Sequence, residues 1–321
     1  MVQSTEEGVD GRRRSRRTGR RPSPLGLAIA AVVFVVALAV SSSASAQAPA
    51  RPRPDQQVVL VTGSTSGLGR EVALRMAAQG AHVIVHGRSR ERGLEVVAEI
   101  ERAGRGSARF YAADFASFAQ VRQLADSILR DYDRLDVLVN NAGFGSAPDE
   151  RLLSEDGHEY RFQVNYLSSY LLTHLLLPRL LHSAPSRIVN VSSLAQQPID
   201  FDDVMIEQGF SGGRAYAQSK LAQVMFAFDL HQELAGTGVM VSALHPATYM
   251  PTGMVARAGV EPRSTIDEGA GAVMQLIESD EIEGGQFFRG LEPARAHAQA
   301  YDAEARARLK RLSEELTGLR R

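Results

Sequence analysis

The sequence predicts an α/β protein built on a single doubly wound parallel sheet of about seven strands, with helices on both faces. Three observations predict it. Short apolar runs rich in β-branched residues recur along the chain, as at Val58–Val61 and His82–Val85, and such runs form strands buried on both sides. Helical patterns of roughly 12–16 residues separate them, the signature of βαβ units. Residues with chemical character then fall where the runs end, which is where ligands sit in open α/β sheets.

Val58–Val61 leads directly into Thr62-Gly63-Ser64-Thr65-Ser66-Gly67-Leu68-Gly69 and a helical pattern from Arg70 to Ala78. Strand, glycine turn and helix start together can cradle a dinucleotide pyrophosphate, because glycines let the backbone approach the phosphates and the helix N-terminus favours an anion. The next strand ends at His86-Gly87-Arg88. An acid there would take a ribose 2′-hydroxyl and an arginine accommodates a 2′-phosphate. Arg88 therefore favours NADP(H), with NAD(H) as the alternative. A helix from Glu91 to Ala103 and a strand over Ala108–Ala112 follow, closed by Asp114-Phe115. Ser117 is expected to cap a helix reaching Tyr132. Leu135–Val139 is the fourth strand, ending in Asn140-Asn141-Ala142-Gly143.

The second half continues the pattern with a long helix from Asp156 to Leu181 and a strand over Arg187–Val191 that delivers Ser192-Ser193. A further helix runs from Arg214 to Ala235, and a sixth strand over Val239–Leu244 ends in His245-Pro246-Ala247-Thr248. Ala247–Ser264 is expected to form a lid, with Met250, Met254 and Val255 suited to an apolar ligand. Thr265–Glu278 is a last sheet-packing helix, Gln286–Phe288 a seventh strand, and Ala294–Leu316 a charged terminal helix. The apolar residues Pro198, Ile199, Phe201, Val204, Met205, Ile206 and Phe210 either line a substrate pocket or pack their loop on the sheet. His245 reads as structural, and no metal site is predicted.

The 321 residues include no cysteine, which excludes disulfides, thiolate metal sites and a cysteine nucleophile. Residues 1–50 hold seven arginines against three acids, and the remainder is mildly acidic, which gives no electrostatic footprint for nucleic acid. Arg12–Arg21, the apolar run Leu25–Val40 and Ala44-Ser45-Ala46 have the layout of an export signal. As a helix the apolar run would span roughly 24 Å, short of a bilayer core, so a cleavable signal is favoured over an anchor. The expected organisation is a signal peptide or anchor over 1–46, a proline-rich linker over 47–55 and one NAD(P)-binding domain over 56–321. Membrane contact would then run only through an uncleaved N-terminal segment. A start codon nearer the domain would instead leave a cytoplasmic protein.

Tyr216 and Lys220 stand four residues apart, on one face of their predicted helix. A neighbouring ammonium favours the phenolate and lowers a tyrosine pKa, which suits proton exchange with an alcohol or carbonyl. Ser219 and Gln223 share that face.

Thr62–Gly69, Asn140–Gly143 and Tyr216–Lys220 together resemble the short-chain dehydrogenase/reductase family over roughly residues 56 to 290, and imply its Rossmann-type fold. Phe162–Asn165, Leu171–Pro178 and Arg187–Ser193 are most similar to its retinol-dehydrogenase-like branch. The resemblance implies an oxidoreductase acting on an alcohol, ketone or aldehyde, with Asn165, Ser193, Tyr216 and Lys220 as catalytic residues. Asn165 would hold a water on the proton relay, and Ser193 rather than Ser192 would bond the reacting oxygen. Candidate cofactor contacts are Gly63, Ser64, Thr65, Ser66, Gly67, Leu68, Gly69, Arg88, Asp114, Phe115, Asn141, Ala142, Gly143, Tyr216, Lys220, Pro246 and Thr248. Ala247 stands where the family usually has glycine, a source of strain if φ is positive there. The surplus apolar residues Phe226 and Leu230 on the Tyr216 helix fit a homodimer, or a helix covered on all sides within one chain. A regulator that binds the nucleotide without chemistry is the alternative function.

Overall fold

The structure, a computed structural model, describes residues 51–319; the export segment expected from the sequence lies outside them. One eight-stranded sheet has the order β3-β2-β1-β4-β5-β6-β7-β8. The chain runs β1 (Val58–Val61), α1 (Gly67–Ala78), β2 (His82–Gly87), α2 (Arg90–Ala103), β3 (Ser107–Ala112), α3 (Phe118–Asp131) and β4 (Val137–Asn140). Wide π-helical turns over Phe162–Leu167 then lead into α4 (Ser168–His182). They are followed by β5 (Ser186–Val191), α5 (Gly212–Glu233), β6 (Val239–His245), α6 (Gly253–Arg257), α7 (Ile266–Glu278), β7 (Phe287–Arg289), β8 (Glu292–Ala294) and α8 (Ala303–Thr317). β1 through β7 pair in parallel, and β8 turns back antiparallel on β7. This eighth strand was not expected. It is three residues long and contains Pro293, which is tolerated because β8 is an edge.

Strand alternation explains the continuous apolar runs. Val58 and Leu60 face one core layer with Val121, Leu171 and Leu221 from α3, α4 and α5. Val59 and Val61 face the other, with Val72, Ile100 and Val273 from α1, α2 and α7. Each such residue contributes roughly 1.5–3 kcal/mol by leaving water. Sheet order reverses between β1 and β4, and the crevice opens there.

Several boundaries differ from the sequence expectation for physical reasons. Ser117 sits at the N-cap of α3 but its side chain makes no cap; the Asp156 carboxylate accepts from Phe118 N at 2.8 Å instead. The expected helix start at Asp156 is displaced to Tyr160, because Gly157 turns the chain with φ +83° and Leu153 bridges Glu159. The expected single helix over Ala294–Leu316 is a strand, a 3-10 turn at Ala298–Tyr301, and α8, which Asp302 caps through Glu304 N and Ala305 N. α8 packs on α5: Arg306 bonds Asp229 at 2.6 Å, and Lys310 pairs with Glu233. Phe226 is buried with ring contacts to Tyr166 and Tyr170, and Leu230 is buried beside them. The apolar surplus on α5 is thus covered within the chain. No helix among the described residues is long and apolar enough to cross a membrane.

Candidate active site

The glycine turn is built around Thr62 and Gly63. Thr62 Oγ1 donates to Val139 O and accepts from the N–H groups of Asn141 and Ala142 at 2.9 and 3.0 Å, tying the end of β1 to the end of β4. Gly63 has φ +66°, and a Cβ on it would lie 2.9 Å from Ala142 Cα. Only glycine fits. A Cβ on Gly69 would clash with the Asn141 amide and with Gly63 O, so Asn141, which also donates to Thr62 O at 2.8 Å, locks the turn from beneath. Ser64 and Leu68 point inward: Ser64 Oγ accepts from His86 N at 3.0 Å, and Leu68 joins the core. Thr65 Cγ2 lies 2.6 Å from where a Gly87 Cβ would stand, closing the turn onto β2. Ser66 is exposed at the N-cap of α1 and its side chain caps nothing. The free N–H groups at this helix start and the absence of any Cβ at Gly63 and Gly67 fit a pyrophosphate.

Sequence reasoning passed over His86 as a site residue. It is buried, its Nδ1 accepts from Gly63 N at 3.2 Å, and its Nε2 faces Ala113 O at 3.2 Å. The ring is therefore neutral, with the proton on Nε2. Burial pushes its pKa down to about 4. Phe115 turns its ring into the core and stacks on His86 at 4.7 Å, so its side chain does not line the crevice. The only signal for His86 was a polar ring at the end of an apolar strand.

Arg88 lies on the crevice rim, 61% exposed. Its Nη1 is 3.1 Å from the Tyr160 hydroxyl and 3.5 Å from Asp114 Oδ2. Tyr160, another residue the sequence did not single out, thus aims the guanidinium. Asp114 Oδ1 accepts from Ala116 N at 3.0 Å and holds the turn after β3.

The proton-transfer candidates converge at the ends of β4, β5 and α5. Pleating separates the two serines as expected. Ser192 Oγ donates to Lys220 O at 2.6 Å and anchors α5 to β5, whereas the Ser193 hydroxyl hydrogen-bonds the Tyr216 phenol. Lys220 Nζ is 5.7 Å from the Tyr216 ring centre and donates to Val191 O at 2.9 Å and to Gln223 Oε1 at 2.8 Å. Burial lowers its pKa to about 7. The Tyr216 pKa is raised in this structure, not lowered as the Tyr–Lys spacing suggested: burial leads, the Ser193 hydrogen bond partly offsets it, and Tyr249 adds to the rise. The lysine proton donors are turned toward Val191 and Gln223, which explains the weak influence on the phenol.

Asn165 sits in the π-helical turns, where its Oδ1 accepts from Phe144 N at 2.6 Å and its Nδ2 donates to Phe144 O and to Ser219 Oγ. It clamps the segment after β4 to α5, and Gly143 passes between it and Lys220. Arg161 holds the continuation of that segment. The buried guanidinium donates to the carbonyls of Gly145, Ser146, Pro148 and Glu150, and pairs with Glu159 at 3.2 Å.

The lid closes the crevice. Met254 packs on Gly145, and Thr252 on Gly67. Thr248 is held by His245 Nε2 at 2.9 Å and, through its carbonyl, by Ser264, which gives His245 the structural role expected. Pro246 begins the lid directly after His245. The strain considered for Ala247 falls elsewhere: Ala247 is not among the positive-φ residues, and Tyr249 has φ +50°. Apolar residues of the 194–214 loop pack. Ile199, Val204 and Ile206 are buried, Phe201 lies under Arg308 and Phe210 beside Arg161.

A profile of the short chain dehydrogenase family matches residues 57–262. Human retinol dehydrogenase 14 is 36% identical over 293 residues, covering 82% of this chain and 87% of the relative. Human retinol dehydrogenase 11 is also 36% identical, covering 82% and 86%. Among solved structures, an uncharacterized protein from Mycobacterium paratuberculosis superposes with a TM-score of 0.69 at 31% identity, covering 85% of this chain and 96% of the other. A protein assigned as a short-chain dehydrogenase from Escherichia coli CFT073, complexed with NADPH, gives 0.61 at 29% identity, covering 74% and 97%. The chain belongs to the short-chain dehydrogenase/reductase family, in its retinol-dehydrogenase-like branch, and is an NAD(P)-dependent oxidoreductase acting on alcohol and carbonyl groups.

Proposed function

We propose that the chain interconverts the alcohol and carbonyl forms of an apolar small molecule with NADP(H), and that Tyr216 exchanges the proton on the substrate oxygen. The observation that carries this reading is the meeting of Tyr216, Ser193 and Lys220 at the ends of β5 and α5 beside the glycine turn. The nicotinamide cofactor, when bound, supplies or accepts the hydride. Gly63–Gly69 would hold its pyrophosphate, Arg88 its 2′-phosphate, and Asn141–Gly143 with Pro246–Thr248 the nicotinamide end.

A half-buried phenol whose pKa is raised by its surroundings keeps its proton at neutral pH, so Tyr216 is set to donate to a carbonyl oxygen. Ser193 hydrogen-bonds the phenol and would bond the same substrate oxygen, steadying the phenolate that forms. A charged Lys220 favours that phenolate, and Asn165 keeps Gly143 and Phe144 fixed beside it. Met254 presents an apolar side chain to Gly145 from the lid, whereas Met250 packs on Gly269 of α7; an apolar substrate is in keeping with relatives named retinol dehydrogenases. The apolar N-terminal run would export the protein or attach it to a membrane.

Nicotinamide absorbance read over a panel of all-trans-retinal, medium-chain aldehydes and ketones, with NADPH and NADH in parallel, tests this reading. Reduction of apolar aldehydes with NADPH is expected. Tyr216→Phe should cost about 10²–10⁴-fold in kcat with NADPH affinity retained, and near-normal turnover in that variant would overturn the assignment.

A further inference from the structure

Around Lys220 a set of polar side chains is buried on the π-helical turns, α4, α5 and the sheet. Asn165, Ser169 and Thr173 recur at four-residue spacing along the π-helical turns and α4, and all are buried. Ser219, Lys220 and Gln223 of α5 are buried as well. From the sheet, Asn140 and Asn190 lie in register on β4 and β5, on the same face as Leu138 and Ile188 two residues earlier, which meet the α3–α5 layer. Asn140 Nδ2 donates to Thr173 Oγ1 at 3.0 Å and to Asn190 Oδ1 at 2.8 Å. Asn190 immediately precedes Val191, whose carbonyl accepts a hydrogen bond from Lys220 Nζ.

Protein atoms do not satisfy this column. Gln223 Nε2, Asn190 Nδ2, Asn140 Oδ1 and Ser169 Oγ are buried without a protein partner. Flipping both asparagine amides keeps their mutual bond and still strands one donor and one acceptor, so the deficit does not depend on the amide assignment. Buried donors and acceptors left unpaired are costly, and an internal water is the partner that such groups take where protein supplies none. Gln223 faces both ways: its Oε1 accepts a hydrogen bond from Lys220 Nζ at 2.8 Å, and its Nε2 belongs to the unpaired set.

We propose that Gln223 is a positioning residue that sets the charge and aim of Lys220, and that the Gln223–Asn190–Asn140 column behind it takes up ordered internal water. The inference rests on reading Lys220 as the partner of Tyr216. An amide oxygen on the ammonium favours the charged lysine, against the burial that disfavours it. With Val191 O it also engages two of the three ammonium protons, leaving one for the crevice. The titratable groups facing Lys220 are Tyr216 on its own helix and His245 at the end of β6, and burial alone accounts for its lowered pKa. The adjustable neighbour is thus Gln223.

Lysine occurs only at 220 and 310 in the whole chain. A full-length protein labelled with [ε-13C]lysine therefore shows two side-chain resonances, with Lys310 as internal reference. The Lys220 resonance should titrate near pH 7 in the wild type. Gln223→Leu should lower its midpoint by about one pH unit, a tenfold change in proton affinity, and Gln223→Glu should raise it by about two. If Gln223→Leu does not fold by circular dichroism, Gln223→Glu carries the test alone. An unmoved midpoint in the folded variants overturns the positioning role. A high-resolution crystal structure should show water density within hydrogen-bonding distance of Gln223 Nε2 or Asn190 Nδ2, and a dry site overturns the water column. Neither readout involves turnover, so a chain inactive on every substrate with a shifting Lys220 would sink the reaction reading and leave this one standing.

Discussion

The backbone N–H of Gly63 donates to His86 Nδ1 at 3.2 Å, so a side chain at the end of β2 fixes the left-handed turn at the end of β1. The bond needs a neutral imidazole. Burial supplies one by holding the His86 pKa at about 4, and the Ala113 carbonyl fixes the tautomer. His86→Leu keeps the bulk and removes the acceptor. A net hydrogen bond is worth about 0.5–1.5 kcal/mol, so NADPH should bind roughly 3- to 10-fold more weakly by fluorescence titration. Unchanged affinity would show that the turn holds itself.

Acid should destabilise the fold through three histidines. Burial holds His82, His86 and His245 each at about 4, against 6.5 for a free imidazole. Between these values the unfolded chain binds more protons than the folded one, so stability rises with pH across the window. The contribution is complete above about pH 6.5 and is lost as pH falls toward 4. Thermal melts from pH 7.5 to 4.5 should show Tm falling mainly below 6.5. A Tm that stays flat to pH 4.5 would contradict the buried neutral rings.

Arg88 should decide cofactor choice. Tyr160 and Asp114 hold the guanidinium at the crevice rim, and a phosphate would give it a charge-assisted bond. Arg88→Ala should weaken NADPH on the order of tenfold or more and leave NADH nearly unchanged. Equal losses for both cofactors would move the 2′-phosphate contact elsewhere.

Arg161 should matter for stability far more than its position in the sequence suggests. Fully buried, it serves four backbone carbonyls and Glu159. Arg161→Met leaves those carbonyls and a buried carboxylate without their donor, a loss of about 3–5 kcal/mol. The expected Tm drop is on the order of 10 °C. A drop of only a degree or two would mean that the 144–150 segment is held by other contacts.

What the sequence determined by itself was whatever rests on local repetition. Apolar runs and helical spacing placed seven strands and most helices, because burial on two faces and a 3.6-residue period leave marks within a few residues of one another. Tyr216 and Lys220 were legible for the same reason, as were the glycines of Thr62–Gly69, since turn and helix start are contiguous. Tertiary structure alone decided partnerships between distant residues. Asp156 in place of Ser117 at the start of α3, His86 under Gly63, Tyr160 behind Arg88 and the polar column behind Lys220 each join side chains brought together by sheet order. It also decided the charge states. The raised phenol of Tyr216 and the lowered ammonium of Lys220 follow from how completely the surrounding strands and helices exclude water, which residue spacing does not encode.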